Sequence, residues 1–198
     1  MPGVLREEKG SAEAGYMKLF PGRQIFLTGF MATGKSKIGP ILAERLNREF
    51  IDTDELIVEK SGKAIPELFS EDGEANFRVF EHACVVDAAN SADAVISLGG
   101  GAVTQEDNWT IVREKGICVC LQASAETIYE RVSRNDERPL MAGLDDDERL
   151  RKIRSMLGAR ARYYNRADVF VTSSEESTLE DTAEATIDRL RRLSEEAK

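Results

Sequence analysis

The stretch Gly29-Phe30-Met31-Ala32-Thr33-Gly34-Lys35-Ser36 constrains this chain more than any other. It has a glycine, four free positions, then Gly-Lys-Ser, the spacing of a phosphate-cradling loop. Glycines let the backbone curl until successive N–H groups point inward at an anion. Lys35 then reaches the β- and γ-phosphates of a nucleotide as a compact positive charge, and the Ser36 hydroxyl is placed for magnesium. The flanks agree with the motif. Gln24 to Thr28 reads as a short buried strand. Lys37 to Asn47, with apolar Ile38, Ile41, Leu42 and Leu46, reads as a helix that begins at the loop. A strand, a glycine loop and a helix N-terminus together make an anion site.

The 198 residues suffice for one sizeable core. A hydrophobic content of 41% and a charged content of 32% suit a globular chain and exclude a disordered one. The net charge of −9 argues against a nucleic-acid or membrane-surface protein working through a basic face. It leaves room for an anionic substrate held by a few local arginines. No apolar run is long enough to span a bilayer, and residues 1–20 lack the apolar core of an export signal, so a cytoplasmic protein is expected. Cys84, Cys118 and Cys120 form no zinc or thioredoxin pattern; they are expected to be reduced and buried.

Residues 1–22 read as a flexible tail, with Met17 standing as an alternative start. Residues 23–198 read as a single domain. Glu49-Phe50-Ile51 leads into Asp52-Thr53-Asp54, two carboxylates expected on one face of an extended segment. Asp52 suits a metal or substrate role; Asp54 suits that role, a helix N-cap, or both. Arg78 and Glu81 are spaced to pair on a helix running from Glu74 to Asn90. His82, the only histidine, reads as a packing or surface residue on the same helix. The strand Ala94 to Leu98 runs into Gly99-Gly100-Gly101, bare backbone for close ligand approach. Further strands are expected at Ile117 to Leu121 and Asp168 to Val171. Helices are expected at Asn108 to Lys115, from a Ser124 cap to Val132, through the acidic run Asp145 to Glu148 as far as Tyr164, and from Thr178 to Ala197. The polar segment from Arg134 to Gly143 suits either a flap over phosphates or a plain surface loop. Strands alternating with helices imply a mainly parallel sheet covered on both faces.

The phosphate loop, the Asp52-Thr53-Asp54 pair, the run Asp72-Gly73-Glu74 through Phe77-Arg78 and Glu81, the strand end Leu98-Gly99-Gly100-Gly101-Ala102-Val103, and Arg138-Pro139-Leu140 together resemble shikimate kinase over roughly residues 24–190. The resemblance implies a three-layer α/β/α P-loop kinase fold. Its five parallel strands run in the order 2-3-1-4-5, with a mobile lid at about 134–147. It implies a monomer that transfers the ATP γ-phosphoryl group to the 3-hydroxyl of shikimate, a step of chorismate and aromatic amino acid biosynthesis, with Mg2+ as cofactor and ATP as co-substrate.

Roles carry over by resemblance. Gly29, Ala32, Thr33, Gly34, Lys35, Ser36, Lys37 and Arg138 correspond to the ATP-binding set. Ser36 and Asp52 correspond to the metal ligands, and Lys35, Asp54 and Arg138 to the catalytic groups. Asp54, Arg78, Gly99, Gly100, Gly101 and Arg160 correspond to the shikimate-binding set, and Arg134 to a helper at the adenine side. Two positions depart from the pattern: Ala32 stands where the family often has glycine, and Arg162 where it often has proline. The second departure leaves Arg162 and Arg166 as alternatives to Arg160 for the carboxylate. The rival readings are a kinase for another hydroxylated acid, such as gluconate, and a nucleotide-binding regulatory module without catalysis.

Overall fold

The computed structural model describes residues 19–134 and 145–196. Its centre is β1 (Gln24–Thr28), a strand with every residue buried. Flanking it are β2 (Glu49–Asp52), β3 (Ala94–Ser97), β4 (Gly116–Gln122) and β5 (Val169–Thr172). The five pair in parallel in the order β2-β3-β1-β4-β5, as expected. Among the described residues eight helices cover the sheet: α1 (Lys35–Leu46), α2 (Thr53–Ser61), α3 (Ile65–Glu71), α4 (Gly73–Ala89), α5 (Glu106–Lys115), α6 (Ala125–Ser133), α7 (Asp146–Tyr164) and α8 (Leu179–Glu196). A 3-10 turn, Ala102–Thr104, follows the glycine triplet. None of the described helices is long and apolar enough to cross a membrane.

The pleat sorts the central strands between two cores. Ile25 and Leu27 of β1, with Val119 and Leu121 of β4, pack on Ile38 and Leu42 of α1 and Ile187 and Leu190 of α8. Phe26, Cys118 and Cys120 fall into the opposite core with Val85, Trp109, Ile128 and Ile153 from α4 to α7. Each fully buried aliphatic or aromatic side chain contributes about 1.5–3 kcal/mol. A smaller cluster of Ile57, Leu68, Phe77 and Cys84 joins α2, α3 and α4 into an outlying wall. Leu19 is buried in the first core, and Arg48 donates to the carbonyls of Leu19 and Phe20, so packing begins before β1.

Two expectations need correction. Helix α1 starts at Lys35 rather than Lys37, because Gly34 at φ +101° caps it and its carbonyl accepts the Lys37 and Ile38 amides at 3.0 and 2.9 Å. The aspartate pair is not an extended segment. Asp52 ends β2 and is itself the N-cap of α2, accepting the Asp54 amide at 2.9 Å; Asp54 lies in the first helical turn. A carboxylate at a strand end satisfies an orphan amide two residues on, and the chain coils there at once. The acidic run before α7 also has a local cause: Asp145 and Glu148 form a reciprocal capping box.

Gly29 crosses beside β4 at φ +135°, where a Cβ would strike the Leu121 carbonyl oxygen. Gly29→Ala is therefore expected to destabilise the chain by about 2 kcal/mol or more, lowering Tm by roughly 4–8 °C in a thermal melt. All three cysteines are free and buried at about 1% exposure, and burial pushes the Cys120 thiol up to about 11. Ellman's reagent at pH 8 is expected to label none of them until a denaturant is added.

Candidate active site

The elements deliver their loops to the carboxyl edge of the sheet, where open α/β folds bind ligands. The loop between β1 and α1 is held in shape by short-range bonds: the Thr33 hydroxyl donates to the Phe30 carbonyl at 2.8 Å, and Lys35 Nζ donates to the carbonyls of Gly29 and Phe30 at 2.9 and 3.0 Å. Ala32 takes φ +60°, a left-handed conformation usual for glycine, which accounts for the glycine expected there. A cavity of about 650 Å³ opens over this loop, with Gly34, Lys35, Ser36 and Lys37 on one side and Arg131 and the 173–179 segment on the other. Curled main chain, a helix N-terminus and three or more cations around one cavity can hold a polyphosphate.

Arg131 was not singled out from the sequence, yet it ties this cavity together. Its guanidinium donates to Ala32 O at 3.1 Å, Ser173 Oγ at 3.0 Å, Ser174 O at 2.9 Å and Glu175 Oε1 at 2.7 Å. Arg134, the residue that was singled out, donates to the other Glu175 oxygen at 3.0 Å from an exposed position. The Arg131 contact, aided by Arg134, holds the Glu175 carboxyl below its ordinary range. Nothing local distinguishes the two arginines; contacts to Ser173 and Ser174, and one reaching back to Ala32, 99 residues away in sequence, do so.

The glycine triplet after β3 lies beside the loop. A Cβ on Gly100 would sit 3.4 Å from the Met31 amide nitrogen. On its other side, a Cβ on Gly99 would come within 2.6 Å of Asp54 Oδ1 and 3.2 Å of Glu81 Oε1, and one on Gly101 within 3.0 and 3.1 Å of the Arg78 guanidinium nitrogens. Asp54, Glu81 and Arg78 therefore border the triplet, while the phosphate loop backs it. Arg78 donates to Glu81 Oε2 at 2.8 Å and to Glu74 Oε1 at 3.1 Å. Burial pushes the Glu81 carboxyl up; Arg78 opposes this and the nearby Asp54 adds to it. Arg160 Nη1 donates to Gly100 O at 3.2 Å and its guanidinium lies over the Phe30 ring. Arg162 stacks on Tyr163, and Arg166 stacks on Trp109 and pairs with Glu106, so neither of these makes the Gly100 contact.

Two groups that sequence reasoning passed over fix the triplet. The Thr53 hydroxyl, between the two aspartates, accepts the Gly99 amide at 3.0 Å. The Tyr164 phenol donates to Gly100 O at 2.7 Å, and burial pushes its pKa up. Arg138 and most of the expected lid lie outside the described residues. Among the described residues, no three His, Cys, Asp or Glu side chains gather for a metal. The hard oxygens of Ser36 and Asp52 still suit Mg2+, which keeps waters and phosphate oxygens in its shell and needs only one or two protein ligands.

A family profile for shikimate kinase matches residues 31–191. The chain is 38% identical over 165 residues to the shikimate kinase of Caldanaerobacter subterraneus subsp. tengcongensis, covering 83% of this chain and 94% of that protein. Among solved structures it is similar to shikimate kinase from Bacteroides thetaiotaomicron, with TM-score 0.80, 35% identity, and 87% and 98% of the two chains covered. It is also similar to the Acinetobacter baumannii shikimate kinase in complex with shikimate, with TM-score 0.79, 32% identity, and 89% and 96% covered. With the phosphate loop, the glycine triplet and the Arg78–Glu81 pair assembled at one sheet edge, these likenesses establish that the chain belongs to the shikimate kinase family.

Proposed function

We propose that this protein transfers the γ-phosphoryl group of ATP to the 3-hydroxyl of shikimate, giving shikimate 3-phosphate and ADP. The observation that carries this reading is the glycine triplet, with the phosphate loop behind it and Asp54 and Arg78 in front. One strip of bare backbone thus borders both an anion-cradling loop and a carboxylate-recognising arginine.

The roles follow from charge and geometry. The amides of residues 32–36 and Lys35 hold the β- and γ-phosphates, and Lys35 exchanges its carbonyl partners for phosphate oxygens. Ser36 and Asp52 hold Mg2+, which when bound neutralises charge on the phosphates. Arg131, gripped from four sides, gives the nucleotide cavity a fixed planar wall. Asp54 orients the 3-hydroxyl and takes its proton as the oxygen–phosphorus bond forms and the bond to the β-phosphate oxygen breaks. Arg78 and Arg160 bind the shikimate carboxylate, a task for planar guanidinium groups. Gly99, Gly100 and Gly101 make the floor under the ring, and Arg138 completes the charge around the transferred group. Positioning and charge neutralisation do most of the work in such a transfer.

A coupled ADP-release assay tests the reading. ADP release that requires shikimate and ignores gluconate is expected; release without shikimate, or with gluconate alone, would refute it. Lys35→Ala and Asp54→Ala are each expected to lower kcat by ~100-fold or more, while a near-normal rate in the Asp54 variant would remove that residue from the chemistry. Arg78→Ala would strand the buried Glu81 carboxylate, so the sharper variants are Arg78→Lys, which keeps charge but loses the fork, and Gly101→Ala, which pushes on the fork. Both are expected to raise KM for shikimate by about tenfold while KM for ATP stays near normal.

A further inference from the structure

Asn108 is fully buried at the start of α5, although its side chain is polar. Its Nδ2 donates to the Ala102 carbonyl at 2.9 Å, and its Oδ1 lies 2.7 Å from Nδ1 of His82 on α4. The orientation has one solution. Turned over, the amide would set its oxygen against the Ala102 carbonyl, acceptor against acceptor. Oδ1 must therefore face His82, and His82 Nδ1 must carry the hydrogen, in both the neutral and the protonated ring.

These contacts close a circuit. His82 stands one helical turn beyond Arg78 and next to Glu81. Ala102 follows Gly101, against which the Arg78 guanidinium is packed. The same turn is braced by the Ala102 amide on Gly99 O at 3.0 Å and the Thr104 hydroxyl on Gly101 O at 2.6 Å. We infer that Asn108 and His82 are positioning residues for the acid-binding end of the site: the His82–Asn108–Ala102 relay fixes the spacing between Arg78 and the glycine floor. Neither side chain touches the reacting groups. This inference rests on the proposed shikimate reading, and it gives the lone histidine a duty beyond packing.

The test is steady-state kinetics on the full chain with Asn108→Leu, His82→Leu and His82→Asn. Leucine keeps the branched skeleton of asparagine, with bulkier methyl ends, and removes the hydrogen bonds; asparagine at 82 can return an N–H donor. Asn108→Leu is expected to raise KM for shikimate by ~10-fold, with KM for ATP unchanged and kcat within about threefold. His82→Leu is expected to shift it the same way by roughly threefold or more, and His82→Asn to restore it to within about twofold of the parent. Emission from Trp109, the neighbour of Asn108 and 1% exposed, checks that the core survives. Should Asn108→Leu fail to fold, the two variants at the half-buried His82 decide. An unchanged shikimate KM in His82→Leu, or an equal rise in both KM values, overturns the relay. Absence of shikimate-dependent turnover in the parent chain instead overturns the functional reading beneath it.

Discussion

The site depends on one close approach of main chain to main chain. Gly100 lies against the Met31 amide, so the turn after β3 and the loop after β1 meet without side chains between them. Parallel pairing of β1 with β3 sets both strand ends at the same height, Leu27 opposite Ser97, and the meeting follows from that register. Everything chemical is hung from this seam. Asp54 arrives from β2, the next strand outward, and Arg78 and Glu81 arrive from α4, the helix that leads into β3. An added Cβ at Gly100 would just reach ordinary contact with the Met31 nitrogen, at 3.4 Å, so a side chain extending beyond it is what would press the two halves of the site apart.

Charge is arranged locally against the overall sign. The chain carries a net charge of −9, yet lysines and arginines line the nucleotide cavity. Acidic partners restrain one cation in each half of the site: Glu81 and Glu74 hold Arg78 beside the triplet, and Glu175 holds Arg131 at the nucleotide cavity. At Glu81 the pairing lies at 1% exposure, where an unmatched carboxylate would be costly, so the ion pair fixes a rotamer as well as balancing charge. At Glu175 the pairing is solvent-facing and weak in energy, and its effect is mainly geometric.

The fold was legible because its signals are local and repeated. Four of the five strands are short apolar runs, and α6 and α7 begin at the recognisable caps Ser124 and Asp145, so the alternation of strands and helices was plain in the sequence. The phosphate loop and the triplet declared themselves through glycine spacing. Most of what escaped notice was non-local; the aspartate pair is the local exception. The two aspartates looked like an extended pair because spacing alone does not reveal that Asp52 caps the amide of Asp54, two residues on. Thr53 and Tyr164 are ordinary residues by composition; they matter only because Gly99 and Gly100 fold beneath them. Arg131 sits three residues before Arg134 on similar polar ground, and its importance comes from a loop far along the chain.

Ala32 shows what such non-local restraint accomplishes. Its left-handed backbone is pinned by the Arg131 bond to its carbonyl and by the Thr33 hydroxyl bond to the Phe30 carbonyl. The curl is thus held by the chain's own bonds. An incoming phosphate chain finds a receptor with little conformational entropy left to lose, and association is correspondingly freed from that ordering cost.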